Sequence, residues 1–287
     1  MSKIIIPTDF SEVSKNATVY GFFMAEKLGL SIELVHVLEI YKFAAGTSEA
    51  ELISTILPAD NIIELEQSAA ESFEKFISSI SSEIVSKVSY TTKVISGNLV
   101  NEMVIASTDD NVSAIIIAVP EKQDLATRFT NNTISAILNE AVCPVITVPS
   151  AYNRDMDIKN VIVAIDFNKA EIEMIQKFIS LFSKFNPLLI ITHISQKQID
   201  FKTELKFAGI KQMIKEKINY DKISYVIKQN KNIVDGILDE ITKQNANMLL
   251  MLKEHEGFFK SLFESSKTEK ITHYLKIPMI SYRTLEL

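Results

Sequence analysis

Two aspartates and two histidines recur at one spacing in this chain, and such side chains can bind a metal or transfer protons. Asp9 and Asp166 each follow an apolar run, His36 and His193 stand in the next such run, and 157 positions separate the members of each pair. Neither histidine has a cysteine or a second histidine at the spacing of metal ligands, so we expect buried, hydrogen-bonded histidines. An aspartate after a strand caps a turn or the next helix, and we expect that role for both aspartates. Contact with a ligand in addition to capping is the alternative.

The stretch from residue 115 to residue 148 suggests a different chemistry, the binding of phosphate. Its apolar run at 115–118 predicts a buried strand, residues 132–140 predict a helix, and residues 145–148 predict a second strand. Phosphates favour such strand–loop–helix junctions because the N–H groups of the helix N-terminus are free, and the loops usually carry glycines. Residues 118–142 contain no glycine. Both a working phosphate site and the remnant of one are open interpretations.

The composition argues against several other functions. The chain has 287 residues, 47% of them hydrophobic and 23% charged, which is enough for two domains with buried cores. Its net charge of −6, with no block of lysine or arginine, argues against nucleic acid as a partner. No apolar stretch approaches the ~20 residues that span a membrane. The single cysteine, Cys143, predicts a packed residue and a reducing compartment. With no signal-peptide features at the N-terminus, we expect a cytoplasmic protein without a membrane partner.

The chain repeats itself. Residues 4–37 resemble residues 161–194, KVSYTTK (87–93) resembles KISYVIK (222–228), and CPVITV (143–148) resembles IPMISY (277–282). The offset falls from 157 to 134, so the second repeat is 23 residues shorter. A duplicated domain follows. We predict a first domain at 1–151 and a second at 157–287, joined by the polar stretch SAYNRDMD (150–157).

Each repeat alternates apolar runs with helical patterns. In the first repeat, the patterns predict strands at 3–7, 31–37, 88–95, 114–118 and 145–148, and helices from Ser11 or Ser14 to Leu28 and at 62–86, 99–108 and 132–140. Gly29 is placed to end the first helix. Apolar strands separated by helices indicate an α/β fold with a mostly parallel sheet covered on both faces. A ligand of such a sheet sits at the carboxyl ends of the strands.

These segments carry a resemblance to a known family. The opening KIIIPTDFSEVSKNATVYGFFMAEKLGLSIELVHVLE and the closing NNTISAILNEAVCPVITV resemble a universal stress protein domain, and the second repeat keeps VIVAIDF, ITHI and ITHYLKIPMISY. The resemblance implies two tandem doubly wound, Rossmann-like domains of five parallel strands each, packed as an internal pseudo-dimer. It places the contact between the repeats at strands 145–148 and 279–282, and it allows a homodimer as well.

The resemblance also points to the nucleotide. Family members that bind ATP carry a motif of Gly, two residues, Gly, nine residues, and Gly followed by Ser or Thr. Counting back from Cys143-Pro144, these positions fall on Ala118, Glu121, Asn131 and Asn132, and a shift by one residue puts the last pair on Asn132-Thr133. In the second repeat they fall on Leu252, His255, Ser265 and Ser266. Every motif glycine is replaced in both repeats.

The replacements act against a triphosphate on steric and electrostatic grounds. Glycine leaves room for phosphate against backbone N–H groups, and Pro120 removes one such donor. Glu121 adds a carboxylate, and two like charges about 4 Å apart repel by roughly 4 kcal/mol near a protein surface. The helix N-termini at Asn131 and Ser265 would still attract an anion. The candidate nucleotide contacts that the resemblance implies are Pro7, Thr8, Asp9, Val37, Ala118, Glu121, Asn131, Asn132, Thr133, Asp166, Ile194, Ser265 and Ser266.

Two functions follow as expectations. The first is a regulatory protein of the stress response that contacts as yet unidentified proteins, needs no cofactor and lacks efficient ATP binding in the glycine-motif mode. The second is a protein that holds ATP, AMP or another anion in one of the two repeats. Catalysis is not expected, because the sequence has neither a nucleophile elbow nor a pair of acid and base carboxylates.

Overall fold

The computed structural model describes residues 2–39, 59–120, 127–152, 156–253 and 275–283, with the backbone alone for residues 59–62. Within these ranges strands and helices alternate along the chain. The strands are β1 (Lys3–Pro7), β2 (Ser31–Leu38), β3 (Tyr90–Ser96), β4 (Val112–Val119), β5 (Val145–Pro149), β6 (Asn160–Ala164), β7 (Leu188–Ser195), β8 (Ile223–Gln229), β9 (Met248–Leu252) and β10 (Met279–Tyr282). The helices are α1 (Glu12–Leu28), α2 (Ala59–Ser78), α3 (Ser82–Val85), α4 (Leu99–Ala106), α5 (Asn131–Glu140), α6 (Ala170–Phe182), α7 (Phe201–Lys217) and α8 (Ile233–Lys243), with a 3-10 turn at Ser183–Phe185.

All ten strands form one sheet, in the order β3-β2-β1-β4-β5-β10-β9-β6-β7-β8. Neighbours are parallel within β1–β5 and within β6–β10, and β5 and β10 are antiparallel, with Ile146 opposite Ile280. The expected doubly wound fold and the expected contact between the two last strands are both confirmed. The domain limits 1–151 and 157–287 stay a prediction.

Local sequence determines where the first helix, α1, begins and ends. Ser11 is the N-cap of α1, and its side chain accepts a hydrogen bond from the Ser14 N–H, as the sequence predicts. Gly29 ends the helix with a φ of 73°, and its N–H bonds to the Ala25 carbonyl. A positive φ of this size is a backbone conformation that glycine adopts without steric cost.

The helix predicted at 62–86 is instead two helices, α2 and α3. The break falls on Ser79–Ser81, where the Ser79 hydroxyl donates to the Phe76 carbonyl at 2.6 Å, and the Ser78 hydroxyl donates to the Glu74 carbonyl at 2.7 Å. Serine hydroxyls compete with the helical ladder for backbone carbonyls, and this explains the early end. The strand predicted to start at residue 88 correspondingly starts at Tyr90.

Four of the longer helices cover one face of the sheet. Helix α1 contacts both α3, which follows α2, and the 3-10 turn that follows α6, and α6 lies beside α7. The neighbouring helices α4 and α5 contact each other. Because consecutive crossovers in opposite directions place helices on opposite faces, α1, α2, α6 and α7 lie on one face of the sheet and α4 and α5 lie on the other.

Tyr282, at the end of β10, lies buried and gives a first prediction. Among the described residues its hydroxyl has no hydrogen-bond partner, and burial raises the pKa of this phenol well above its ordinary value. Because an unsatisfied buried hydroxyl is destabilising, Tyr282→Phe is expected to raise the free energy of unfolding by about 1 kcal/mol. Urea denaturation measures the change. The control is Tyr220→Phe, which removes a hydroxyl bonded to the Pro187 carbonyl and should lower stability. A loss of stability in Tyr282→Phe would contradict the prediction.

Candidate functional site

Asp9 lies at the carboxyl end of β1, where a doubly wound sheet binds its ligands. One carboxylate oxygen accepts hydrogen bonds from the backbone N–H of Ser11, at 3.1 Å, and from its hydroxyl. This is the predicted cap, since it fixes the turn that leads into α1. The other oxygen accepts from the Thr127 hydroxyl and from the Arg128 backbone N–H, both at 2.8 Å. Both oxygens of the carboxylate therefore have partners from the chain itself.

Arg128 reaches the second candidate contact in the same cleft. Its guanidinium Nη1 donates to the carbonyl oxygen of Val37, near the end of β2, at 2.8 Å. Val37 and Asp9 are the candidate contacts of the first repeat at the ends of two neighbouring strands, and the two-residue segment Thr127–Arg128 bonds to both of them. The chain itself thus occupies the groups that the sequence suggests for a nucleotide.

Phe10, the residue after Asp9, fixes the same turn through its backbone conformation and the packing of its ring. It has a φ of 63°, unusual for a bulky residue, and its N–H bonds to the Thr8 hydroxyl at 3.0 Å. In this conformation its ring stacks on the ring of His36, with 4.4 Å between centroids, and meets Phe73 of α2 edge-on at 5.0 Å. The strained turn places Asp9 on one side of the chain and a packed aromatic ring on the other.

Two pKa values are displaced in this cleft. For Asp9, burial by itself would raise the pKa, but the hydrogen bonds from Ser11, Arg128 and Thr127 outweigh it and the pKa is lowered. For His36, burial is the main cause of a lowered pKa. Its Nδ1 lies 2.8 Å from the Thr8 carbonyl oxygen. The predicted buried, hydrogen-bonded histidine is confirmed.

The junction after β4 has only part of the expected geometry. Ala118 is fully buried in β4 opposite Val148 of β5, so its methyl group packs in the sheet. Glu121 lies outside the described residues. Thr130, and not an asparagine, caps α5, since its hydroxyl accepts from the Thr133 N–H at 3.2 Å. The candidates Asn131, Asn132 and Thr133 form the first turn of α5, where the Thr130 cap uses the N–H of Thr133 and leaves those of Asn131 and Asn132 to an anion.

Among the described residues, the second half repeats the frame of the site around Asp166. Phe167 follows Asp166 with a φ of 64°, and its ring lies over the buried His193, whose Nδ1 is 3.0 Å from the Ile165 carbonyl oxygen. The Asp166 side chain is 71% exposed, and its Oδ1 lies 3.9 Å from Nδ1 of His193. Ile194 is buried in β7. Ser265 and Ser266 lie outside the described residues.

The comparisons with known proteins bear directly on this site. The model of the universal stress protein family matches residues 1–149. The chain belongs to the universal stress protein family. The sequence resemblance is thereby confirmed at the level of the family. No curated protein matched the chain in a sequence comparison.

Solved structures support the fold of this universal stress protein along its whole length. A universal stress protein from Archaeoglobus fulgidus DSM 4304 is similar over 98% of both chains, with 17% identity and a TM-score of 0.69. A putative universal stress protein from Pseudomonas aeruginosa UCBPP-PA14 covers 99% of this chain and 93% of its own, at 11% identity and a TM-score of 0.53. The cytoplasmic domain of a prokaryotic cation chloride cotransporter covers 98% and 94%, at 11% identity and a TM-score of 0.50. At these identities the likeness shows the fold alone.

Three further features of this universal stress protein concern metal ligands, membrane-spanning helices and the single cysteine. In the part of the chain that is described, no group of three or more His, Cys, Asp and Glu side chains is placed to hold a metal ion. No helix in the same ranges combines the length and apolar composition needed to cross a bilayer. Cys143 is buried, and burial raises the pKa of its thiol to about 12, so it packs as predicted.

Sequence analysis missed Thr127 and Arg128. They lie in a polar loop with no periodicity, 118 and 119 positions from Asp9, so neither pattern nor local spacing indicated them. One signal was available in the repeat itself. At the offset of 134 that relates Asn131 to Ser265, Leu262 stands where Arg128 stands, and an aliphatic side chain has no donor for a carbonyl. A difference at one position between two repeats marks a place where their sites diverge.

Proposed function

We propose that this universal stress protein is a regulatory protein of the stress response whose first nucleotide cleft is closed by its own chain. The single observation that carries the proposal is the double contact of residues 127 and 128. Thr127 and Arg128 N–H satisfy the Asp9 carboxylate, and the Arg128 guanidinium satisfies the Val37 carbonyl. A nucleotide would have to break these bonds before it could make its own.

The replacement of the motif glycines also opposes nucleotide binding. Ala118 is fully buried in the sheet, and Pro120 offers no N–H, so the start of the loop gives a phosphate fewer donors than a glycine loop would. The N-terminus of α5 alone keeps its free N–H groups. We therefore propose that ATP does not bind here in the glycine-motif mode and that the protein works through contacts with other proteins.

Thermal melting with millimolar ATP and Mg²⁺ tests the proposal. A ligand at 100 times its dissociation constant adds about 2.7 kcal/mol of stability, which would move the melting midpoint visibly. We expect no movement for the wild-type chain. An increase in the wild-type chain that Asp9→Ala removes would contradict the closed first cleft, whereas an increase that appears only in Arg128→Ala would support it.

A second candidate function rests on the second half. There the Asp166 carboxylate is 71% exposed, and the sequence has Leu262 in place of Arg128. The ribose hydroxyls of an adenine nucleotide would be able to donate hydrogen bonds to this exposed carboxylate, and another anion would need a helix N-terminus instead. If the same melting experiment shows a shift with ATP or AMP that Asp166→Ala abolishes and Asp9→Ala leaves intact, the protein is a nucleotide-binding protein that uses its second repeat.

A further inference from the structure

The outer surface of helix α7 is apolar where a helix on this face would ordinarily be polar. Phe201 is 78% exposed and Leu205 is 61% exposed, although Phe207, Ile210 and Ile214 of the same helix are buried in the core. Phe201, Leu205, Ala208 and Gln212 recur at intervals of four, three and four and so form one stripe on the side opposite the core, with Gly209 next to it. We call this the α7 outer stripe; its members are Phe201, Leu205, Ala208, Gly209 and Gln212.

The fold does not require a glycine at position 209 in the α7 outer stripe. A Cβ built at this position would meet no atom within 4 Å, and no positive φ calls for glycine. A glycine inside an exposed helix costs about 1 kcal/mol relative to alanine. The Ala208–Gly209 step therefore leaves a smooth surface at the expense of helix stability, which suits the close approach of another element.

Lysines outnumber glutamates around the α7 outer stripe, where the exposed Glu216 accepts a hydrogen bond from Gln212 at 2.6 Å. Helix α7 holds five lysines and two glutamates, a net charge of +3, in a chain whose total is −6. Lys202 and Lys215 are exposed beside the stripe, one near each end. A second α7 packed on this stripe would bring lysines together, so charge disfavours contact between two copies of α7. The stripe calls for a partner with acidic and apolar groups.

Helix α2 of the same protein has that chemistry. Residues 63–78 hold four glutamates and one lysine, a net charge of −3, and Glu64, Glu71 and Glu74 are exposed along its outer side. We call these three residues the α2 acidic stripe. The exposed apolar side chains Ile63 and Leu65 lie beside it. The two helices have similar lengths and net charges of opposite sign, and both expose apolar side chains. Their outer surfaces are therefore complementary.

The two helices cannot satisfy each other within one chain. Helix α2 contacts β3, and Phe207 of α7 packs on Tyr225 of β8. These two strands are the opposite edges of the ten-stranded sheet, which are roughly 40 Å apart at the usual strand spacing. Both helices lie on the same face of the sheet, so two chains face to face can form two α2–α7 contacts around a two-fold axis.

We propose that the α7 outer stripe binds the α2 acidic stripe of a second copy of this chain, and that two such contacts close a dimer. An anionic membrane is the other surface that a basic apolar helix fits. The α2 acidic stripe disfavours it, because a flat anionic surface laid on this face would meet those carboxylates as well.

Charge reversal followed by mixing tests the pairing. One variant of the full chain carries Lys202→Glu and Lys215→Glu, and a second carries Glu71→Lys and Glu74→Lys. Wild type is expected to dimerise reversibly in sedimentation velocity, more weakly as salt is raised. Each variant alone pairs like charges and should dissociate at least about tenfold more readily, whereas an equimolar mixture restores opposite charges at both contacts and should dimerise.

A matched pair of variants tests the apolar part of the contact. Leu205→Ser should weaken the dimer, and Ile105→Ser, which changes a side chain 64% exposed on α4 of the opposite face, should not. Circular dichroism and melting midpoints establish that every variant is folded. The proposal would be overturned if wild type stayed monomeric at a chain concentration of about 100 μM, which is about 100 times a micromolar dissociation constant. Dimerisation of the Glu71→Lys, Glu74→Lys variant equal to wild type, or binding of the wild-type monomer to phosphatidylserine vesicles, would overturn it as well.

Discussion

Asp9→Ala is expected to lower the free energy of unfolding by about 3 kcal/mol, because the carboxylate accepts bonds from four donors and hydrogen bonds to a charged acceptor are the stronger kind. The loss should appear in urea denaturation at neutral pH. Without the carboxylate, the Thr127–Arg128 segment loses its anchor on β1, so the cleft should also become accessible to hydrogen exchange at residues 127–130.

The second half supplies the matched control. Asp166 occupies the same place in the repeat, but its side chain is 71% exposed. Asp166→Ala is therefore expected to change stability by no more than about 0.5 kcal/mol, the usual range for a surface substitution. Equal losses in the two variants would mean that the contacts of Asp9 with residues 127 and 128 contribute nothing to stability.

The same contacts predict a dependence on pH. The folded protein lowers the pKa of Asp9 below its ordinary value of 3.8, so the ionised group stabilises the fold above that pH. As the pH falls through the folded-state pKa, the carboxylate binds a proton and this contribution is lost. The difference in stability between wild type and Asp9→Asn should therefore shrink below pH 3.8. A difference that grows on acidification would show that the sign is wrong.

Ile280→Asp should cost more than about 4 kcal/mol, since it buries a charge that has no partner. Ile280 is fully buried in β10 opposite the buried Ile146 of β5, at the one antiparallel pair that joins the two halves of the sheet. We expect wild type to unfold in urea in one cooperative transition and the variant to lose it, because the β5–β10 contact opens while each parallel half keeps its own neighbours.

The control for this substitution is Ile105→Asp, on an exposed position of α4. It introduces the same carboxylate into water and should stay within about 0.5 kcal/mol of wild type. If Ile280→Asp unfolds with the midpoint and slope of wild type, the β5–β10 pair does not couple the halves.

The pattern of residue types was sufficient to predict the architecture of this protein. The duplication, the alternation of strands and helices, the Ser11 cap and the Gly29 end of α1 depend on periodic apolar residues and on contacts only a few positions apart. The family resemblance also predicted the contact of β5 with β10, and the two buried histidines followed from their apolar surroundings. The helix predicted at 62–86 was wrong in its length because Ser78 and Ser79 inside it compete for backbone carbonyls.

The occupancy of the first cleft, by contrast, depends on contacts that form only in the folded chain. Asp9 and Val37 were candidate ligand contacts on sequence grounds, and the fold gives both of them to residues 127 and 128 of the chain itself. Those hydrogen bonds span 91 to 119 positions and start from a loop without periodicity, so no local rule could foresee them. The separation of α2 from α7 across ten strands likewise exists only once the sheet is assembled. Local pattern fixes which elements form, because it acts over a few residues; which side chains fill a cleft is fixed by the packing of segments that are distant in the chain.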